Sequence, residues 1–359
     1  MEGLMKPIGG EFWFDDIFLD NTINNMKNSN GILLSGGQSA IQFIIENINF
    51  KQDEYILIPS YLCPTILYNF QRKKINILFY EINEDLSINL MDIENKINQY
   101  KIKALFFIDY FGFYHDNNTI QFLKSIKENG IILIEDAVQM FWFKRMKKFI
   151  GDYVFNSYRK FLPVDGSVVL CNNNGEFEFD EDDYCKLMNE ARLKKTQYIK
   201  FNIGKEQEFL NLFNEAEEAY YKRKNVNGMD NESKKLLNKT NYELIKKTRF
   251  DNYTYLYDRL KEVSGIKILF NKELIEDNIP LGLPILINNR DFIRKELRNY
   301  SIYCPIHWDI SNEAFIKEFD KSLYVSNNLL TLPIDNRNNE EDMERLLSEI
   351  MKLVGGEVL

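Results

Sequence analysis

Five short, almost continuously apolar runs, each separated from the next by an amphipathic stretch, dominate the first half of the chain: residues 31–35 (GILLS), 55–59 (YILIP), 75–80, 104–110 and 131–135 (IILIE). Runs of this length without polar alternation fit strands buried on both faces, and helices between them make the sheet parallel with right-handed crossovers. Two further strands are expected at residues 153–157 and 167–171. The predicted class is α/β, a mostly parallel sheet sandwiched by helices. From residue 176 to about 263 the chain is charged and mostly helical, with a loop expected over 225–235. GIKILF, LPILI, RDFIRKELRN and a closing helix then predict a smaller α+β unit. With 359 residues the chain has room for a large and a small domain, and the expected division is 1–240 and 241–359.

Composition narrows the function. Asp and Glu number 54 against 45 Lys and Arg, a net charge of −9, which argues against general nucleic-acid binding but not against a small anionic ligand. The four cysteines (Cys63, Cys171, Cys185 and Cys304) form no C-x-x-C pair, so neither a disulfide framework nor a structural zinc site is expected and the compartment reads as reducing cytoplasm. His115 and His307 are the only histidines, which limits histidine-based metal sites and triads. The N-terminal segment lacks a signal-peptide pattern, and no run has the length of a membrane span.

In a parallel sheet, ligands gather beyond the carboxyl ends of the strands, so the residues just after each strand are the candidates. LSGGQSAI (Leu34–Ile41) places free backbone N–H groups at a helix start, an anion site where Gly36 and Gly37 allow close backbone approach and Ser39 can add a hydroxyl; alone, it reads better as a tight turn with a serine cap. It is not G-x-G-x-x-G, so a dinucleotide cofactor is disfavoured. In IILIEDAVQ, Asp136 ends a buried strand, where a carboxylate needs a partner such as a protonated ring nitrogen, or simply caps the next segment; Gln139 follows three residues on. In FNSYRKFLPVDGSVVL, Lys160 lies beside Arg159. A desolvated lysine near a second cation has a lowered pKa and becomes nucleophilic toward carbonyls, whereas a solvated Lys-Arg pair would do nothing. Ser157, three residues earlier, can hold an anion.

The order of these pieces resembles the fold-type I pyridoxal phosphate (PLP) enzymes, and within them the DegT/DnrJ/StrS-type sugar aminotransferases. LSGGQSAI looks like that family's S-S-G-T-x-A-L, YILIPSYLCPTIL its V-I-V-P-S-F-T-F-x-A-T, and IKALFFIDYFG its T-K-A-I-x-P-V-H-L-Y-G. IILIEDAVQ is similar to L-x-V-I-E-D-A-A-Q, the most specific match. GDYVFNSYRK with GSVVLCNN resembles the cofactor-lysine segment, and YCPIHW and LLTLPIDNRNNEEDMERL resemble the late motifs. The resemblance spans nearly the whole chain apart from residues 175–240. It implies that Lys160 carries the cofactor and shuttles a proton, that Asp136 pairs with the pyridine nitrogen, that Gln139 meets the ring hydroxyl, and that Gly37, Gln38, Ser39 and Ser157 hold the phosphate. The family's ring-stacking aromatic falls at Cys63, so Tyr61 or Tyr110 is expected to stack instead. Two departures mark a divergent branch. The S-x-x-K spacing is shorter than the family's, and the G-Y-N-Y-R-M segment that reaches the neighbouring subunit is not recognisable, leaving Asn202 as its candidate. The resemblance further implies a cytoplasmic homodimer that moves an amino group from glutamate or glutamine to a keto sugar, nucleotide-linked, in surface-polysaccharide or amino-sugar synthesis. The alternatives are a dehydratase or lyase on the same fold, or a PLP-binding regulatory protein. His307 and Trp308 are as well explained by structure as by substrate contact, and Arg249 is expected in a surface ion pair, with a donor carboxylate or sugar phosphate as its other possible partner.

Overall fold

The computed structural model describes residues 5–22, 31–172, 177–182 and 184–355. Asn173 of GSVVLCNN and Glu176, the start of the charged stretch, lie outside the described residues. The chain runs through β1 (Ile8–Gly9), β2 (Ile32–Leu34), α1 (Gly37–Ile48), β3 (Tyr55–Pro59), α2 (Leu67–Arg72), β4 (Asn76–Tyr80), α3 (Leu90–Gln99), β5 (Ile102–Ile108), α4 (Asn117–Glu128), β6 (Ile132–Asp136), β7 (Tyr153–Phe155) and β8 (Ser167–Leu170). Helices α5 (Tyr184–Phe201), α6 (Glu206–Lys222), α7 (Asn231–Asn238) and α8 (Tyr242–Leu260) follow. The chain closes with β9 (Ile266–Ile268), β10 (Gly282–Ile287), α9 (Arg290–Arg298), β11 (Ile302–Tyr303), α10 (Asp320–Asn328), β12 (Leu329–Pro333) and α11 (Glu340–Val354).

The main sheet has seven strands in the order β2-β8-β7-β6-β5-β3-β4. Neighbours from β7 to β4 pair in parallel, and β8 runs against both β7 and β2. Leu105, Phe106, Phe107, Leu133, Ile56 and Leu57 are fully buried, as strands covered by helices on both faces require. A second, antiparallel sheet (β12-β10-β9) is built from later residues and carries α8, α9 and α10 against it, with α11 packed on α8 and α9. The mostly parallel sheet between helices is the expected architecture. The fourth apolar run, 104–110, ends earlier than its letters suggest: its strand, β5, stops at Ile108, and Tyr110–Gly112 turn in a 3-10 helix. There Gly112 has φ +83°, and a Cβ on it would meet the Gln139 carbonyl oxygen at 2.5 Å, so only glycine lets this turn approach the segment after β6.

The middle segment is helical as expected, but residues 231–235, expected in a loop, begin α7, because Asp230 caps it by accepting from Ser233 N at 3.0 Å. One element had no sequence signal. The two-residue β1 pairs in parallel with β11, Ile8 opposite Ile302, and so ties the first described residues to the last third of the chain. Among the described residues no helix is long and apolar enough to cross a membrane.

Candidate active site

The strand ends converge as parallel topology demands. Beyond the carboxyl ends of β5, β6 and β7 lies a cavity of about 320 Å³ whose wall includes Gly37 and Gln38 from the start of α1, Asp136, Val138 and Gln139 after β6, and Ser157, Arg159 and Lys160 after β7. A second cavity of about 370 Å³ shares Arg159, Lys160 and His307 with the first, so Lys160 stands where the two meet.

Asp136 is buried, with one carboxylate oxygen accepting the Val138 N–H at 2.9 Å. Among the described residues it has no ion-pair partner. Burial pushes its pKa up to about 7 against the opposing pull of the Val138 N–H and the Lys160 charge. Lys160 is held below the ordinary lysine value, first by desolvation and then by the neighbouring Arg159 guanidinium. Arg159 is itself paired with Glu217 of α6. His307, beside them, is pushed down to about 3 by burial and by Lys160; it stays neutral and shares a hydrogen bond with Thr331 at 2.9 Å.

The start of α1 has no side-chain cap of its own. The Tyr220 hydroxyl takes that place, accepting the Gln38 N–H at 3.0 Å and keeping its own proton for a second partner. A Cβ on Gly36 would meet that hydroxyl at 2.6 Å, which accounts for the glycine. Arg223 lies 3.8 Å from the Tyr220 ring centroid and Arg159 4.9 Å. Gln38 is fixed by Thr65, to which its amide donates at 3.1 Å, and by Asn69, which donates to its carbonyl at 2.8 Å. Gln139 accepts from Phe111 N at 2.7 Å.

Two of the candidate residues do not reach the cavity. Ser39 points into the junction below α1, within 2.9 Å of the Ser35 hydroxyl and accepting from Asn227 N. Tyr61 is fully buried beneath the His307–Trp308 segment: its hydroxyl donates to the His307 carbonyl and accepts Trp308 N–H at 2.7 Å. Tyr110 is spent on the Tyr61 carbonyl. The cavity wall instead includes Cys63, Val138, His307 and Trp308. Tyr61→Phe leaves two backbone groups without their partner and is expected to lower stability by about 1–3 kcal/mol; a urea unfolding midpoint equal to wild type would show that this anchor is dispensable.

Arg249, expected at the surface, is 1% exposed and forms no ion pair among the described residues; Nη1 donates to the Pro280 and Leu281 carbonyls and Nε has no partner. Asn202 is exposed at the end of α5. Tyr220, Tyr221, Thr65 and Asn69 escaped the sequence reading. The two tyrosines sit in EEAYYK, a helical segment without a motif, whose only signal was an aromatic pair at the end of an amphipathic helix.

Known structures share this architecture at low sequence identity. No protein-family model matches the chain, and no curated protein matches it. A DegT DnrJ EryC1 StrS aminotransferase from Brucella abortus superposes with a TM-score of 0.63 at 16% identity, covering 92% of this chain and 87% of that one. Spr1654 from Streptococcus pneumoniae, described as a sugar aminotransferase and solved in a PLP form, gives 0.67 at 14% identity over 97% and 93%. NtdA from Bacillus subtilis, solved with bound cofactor PMP, gives 0.65 at 15% over 92% and 74%. The fold is that of the aminotransferases.

Proposed function

We propose that the chain is a PLP-dependent aminotransferase acting on a keto sugar. The observation that carries this reading is the pairing, across one cavity, of a desolvated lysine with a buried carboxylate that has no cation of its own. A pyridinium ring supplies that missing charge, and a phosphate ester suits the helix start at Gly37 and Gln38. When bound, PLP supplies the electron sink for chemistry at a carbon next to nitrogen.

In this reading Lys160 would hold the cofactor covalently, and its amine, when free, would take up and return the proton at the substrate carbon. Its depressed pKa makes that amine neutral, and so basic, in a larger fraction than an ordinary lysine. Asp136 keeps the ring nitrogen charged. Gln139, oriented by Phe111 N–H, offers its amide to the ring hydroxyl. Ser157, Gln38 and Tyr220 hold the phosphate, while His307 and Trp308 close the opposite wall. The donor is glutamate or glutamine, the acceptor is nucleotide-linked, and the working unit is a cytoplasmic homodimer, testable by light scattering. Residues 1–240 are taken as the cofactor-binding domain and 241–359 as the smaller one, with β1 crossing that division to reach β11.

The test is a visible absorption spectrum of purified protein with PLP, then borohydride reduction and peptide mapping. A label on Lys160, and loss of the band on adding glutamate, are the expected results. A label elsewhere or no band overturns the reading, and a stable band that no amino donor converts favours a dehydratase, a lyase or a regulatory role. Tyr220 allows a finer check. A hydrogen bond to a charged group is worth roughly 1.5–3 kcal/mol, so Tyr220→Phe should weaken cofactor binding about 10- to 100-fold. Fluorescence titration measures it, and unchanged affinity would remove Tyr220 from the phosphate site.

A further inference from the structure

Asp109 and Glu135 are buried carboxyl groups that the proposed reaction does not use. Asp109 follows β5, and Glu135 precedes Asp136 in β6. Side chains alternate along a strand, so Glu135 lies on the sheet face opposite to Asp136. Asp109 joins it there, and the two carboxyl side chains share a hydrogen bond. Two carboxylates cannot do this, because each is an acceptor only; one must hold a proton. The surrounding donors show which. Glu135 Oε2 accepts the Ile150 N–H at 2.8 Å and the Gly151 N–H at 2.6 Å, as an ionised carboxylate does, and the Arg145 charge acts on it. Among the described residues no N–H or hydroxyl reaches the buried Asp109 Oδ2. His115 brings no counter-charge. Burial holds its pKa down to about 4, and its Nε2–H donates to the Ile108 carbonyl at 3.1 Å, with Asp109 Oδ1 3.9 Å away. Tyr114 and Asp136, the other titratable groups that act on Asp109, bring no positive charge either. Burial, and then the Glu135 and Asp136 charges, hold the Asp109 pKa well above the ordinary carboxyl value.

The backbone of Asp109 links this pair to the site. Its N–H donates to the Asp136 carbonyl at 3.0 Å, and its carbonyl accepts the Gly112 N–H at 2.9 Å. Asp109 therefore ties the end of β6 to the turn over Tyr110–Gly112. That turn holds two successive residues at positive φ, Phe111 at +56° and Gly112 at +83°. The left-handed region is unfavourable for a residue such as Phe and persists only where the surroundings hold it. What the turn delivers is the Phe111 N–H, which orients Gln139 at 2.7 Å. We propose that Asp109 is a positioning residue acting as a neutral acid: its proton joins it to Glu135, and that bond holds the turn that aims Gln139 into the cavity. An ionised Asp109 would instead set two like charges against each other in the core. Only the last link, from Gln139 to the cofactor, rests on the aminotransferase reading.

The test compares wild type with Asp109→Asn, which keeps a neutral donor of the same shape, and Asp109→Leu, which removes it. Urea unfolding of the cofactor-free proteins reads the proton. In the unfolded chain Asp109 ionises at about pH 4. A carboxyl whose pKa is raised on folding stabilises the folded state while protonated, and that contribution is lost as pH rises. Wild type should therefore lose stability relative to Asp109→Asn, the ratio of their unfolding constants changing about tenfold per pH unit between about pH 5 and about pH 7. A ratio independent of pH overturns the inference, because Asp109 would then fold ionised. Fluorescence titration with PLP at about pH 7 reads the positioning. Asp109→Asn should bind within about threefold of wild type, and Asp109→Leu at least about tenfold more weakly. Weaker binding by Asp109→Asn, or wild-type binding by Asp109→Leu, overturns the positioning role. If Asp109→Leu does not fold, Asp109→Asn decides alone, by its affinity and its pH profile. If wild type takes up no PLP, the aminotransferase reading fails, while the unfolding comparison still decides whether Asp109 holds its proton.

Discussion

Lys160→Ala is expected to abolish turnover, with a fall of at least about 10³-fold if proton transfer and covalent attachment are both lost. No neighbour can take over, because Lys160 is the one lysine on the described walls of the two cavities that meet there. The variant should fold, since the removed amine forms no hydrogen bond or ion pair among the described residues. Single-turnover kinetics with glutamate, read from the cofactor spectrum, measure the loss. Borohydride should then leave no label on the peptide that contains Phe161. Turnover within tenfold of wild type would show that another group moves the proton.

Asp136→Asn should separate stability from function. In the cofactor-free protein the folded-state pKa of Asp136 is about 7 against an ordinary 3.8. A carboxyl whose pKa is raised on folding favours the folded state while protonated. Its stability contribution is therefore present at pH below about 4 and is lost as pH rises through about 7. Asparagine has no such loss. The cofactor-free variant should match wild type near pH 4 and exceed it above pH 7, by at most about 4 kcal/mol. With cofactor the order reverses. Removing one member of a buried charge pair costs roughly 3–5 kcal/mol, so binding or turnover should fall about 10²- to 10⁴-fold. Chemical unfolding at the two pH values and cofactor titration at neutral pH check both halves. A variant that is no more stable than wild type at high pH would mean that Asp136 already has a cationic partner.

Much of the site was legible because parallel strands present their carboxyl ends at one edge. Asp136, Gln139, Ser157 and Lys160 each follow such an end, and all four line the cavity. Ser39 was misplaced because Gly37, Gln38 and Ser39 lie on a helix, where successive side chains fan out by about 100°, so three neighbours cannot all face one ligand. Tyr61 sits only two residues beyond β3, but its side chain turns under the chain instead of into the space above it. Arg249 read as a surface residue because α8 is charged nearly throughout, and a buried arginine leaves no trace in a helical pattern that polar residues already fill. Tyr220 belongs to a segment without a motif, and its role depends on α6 returning to α1 across 182 residues of sequence.

The pairing of β1 with β11 bears on how the molecule is made. Ile8 finds Ile302 only after nearly three hundred intervening residues have been synthesised. Gly9, Gly10 and Phe12, which continue from that strand, help wall the arginine-lined space next to Lys160. The seven-stranded sheet needs nothing beyond Leu170 for its strands, so it can pair while the ribosome is still extending the chain. That space has no such head start: one of its walls is held by a contact of very long sequence separation, the kind that forms late. A chain released early would carry the ends of the parallel strands but lack the enclosure beside them, so synthesis past Tyr303 is itself the step that closes the space next to Lys160.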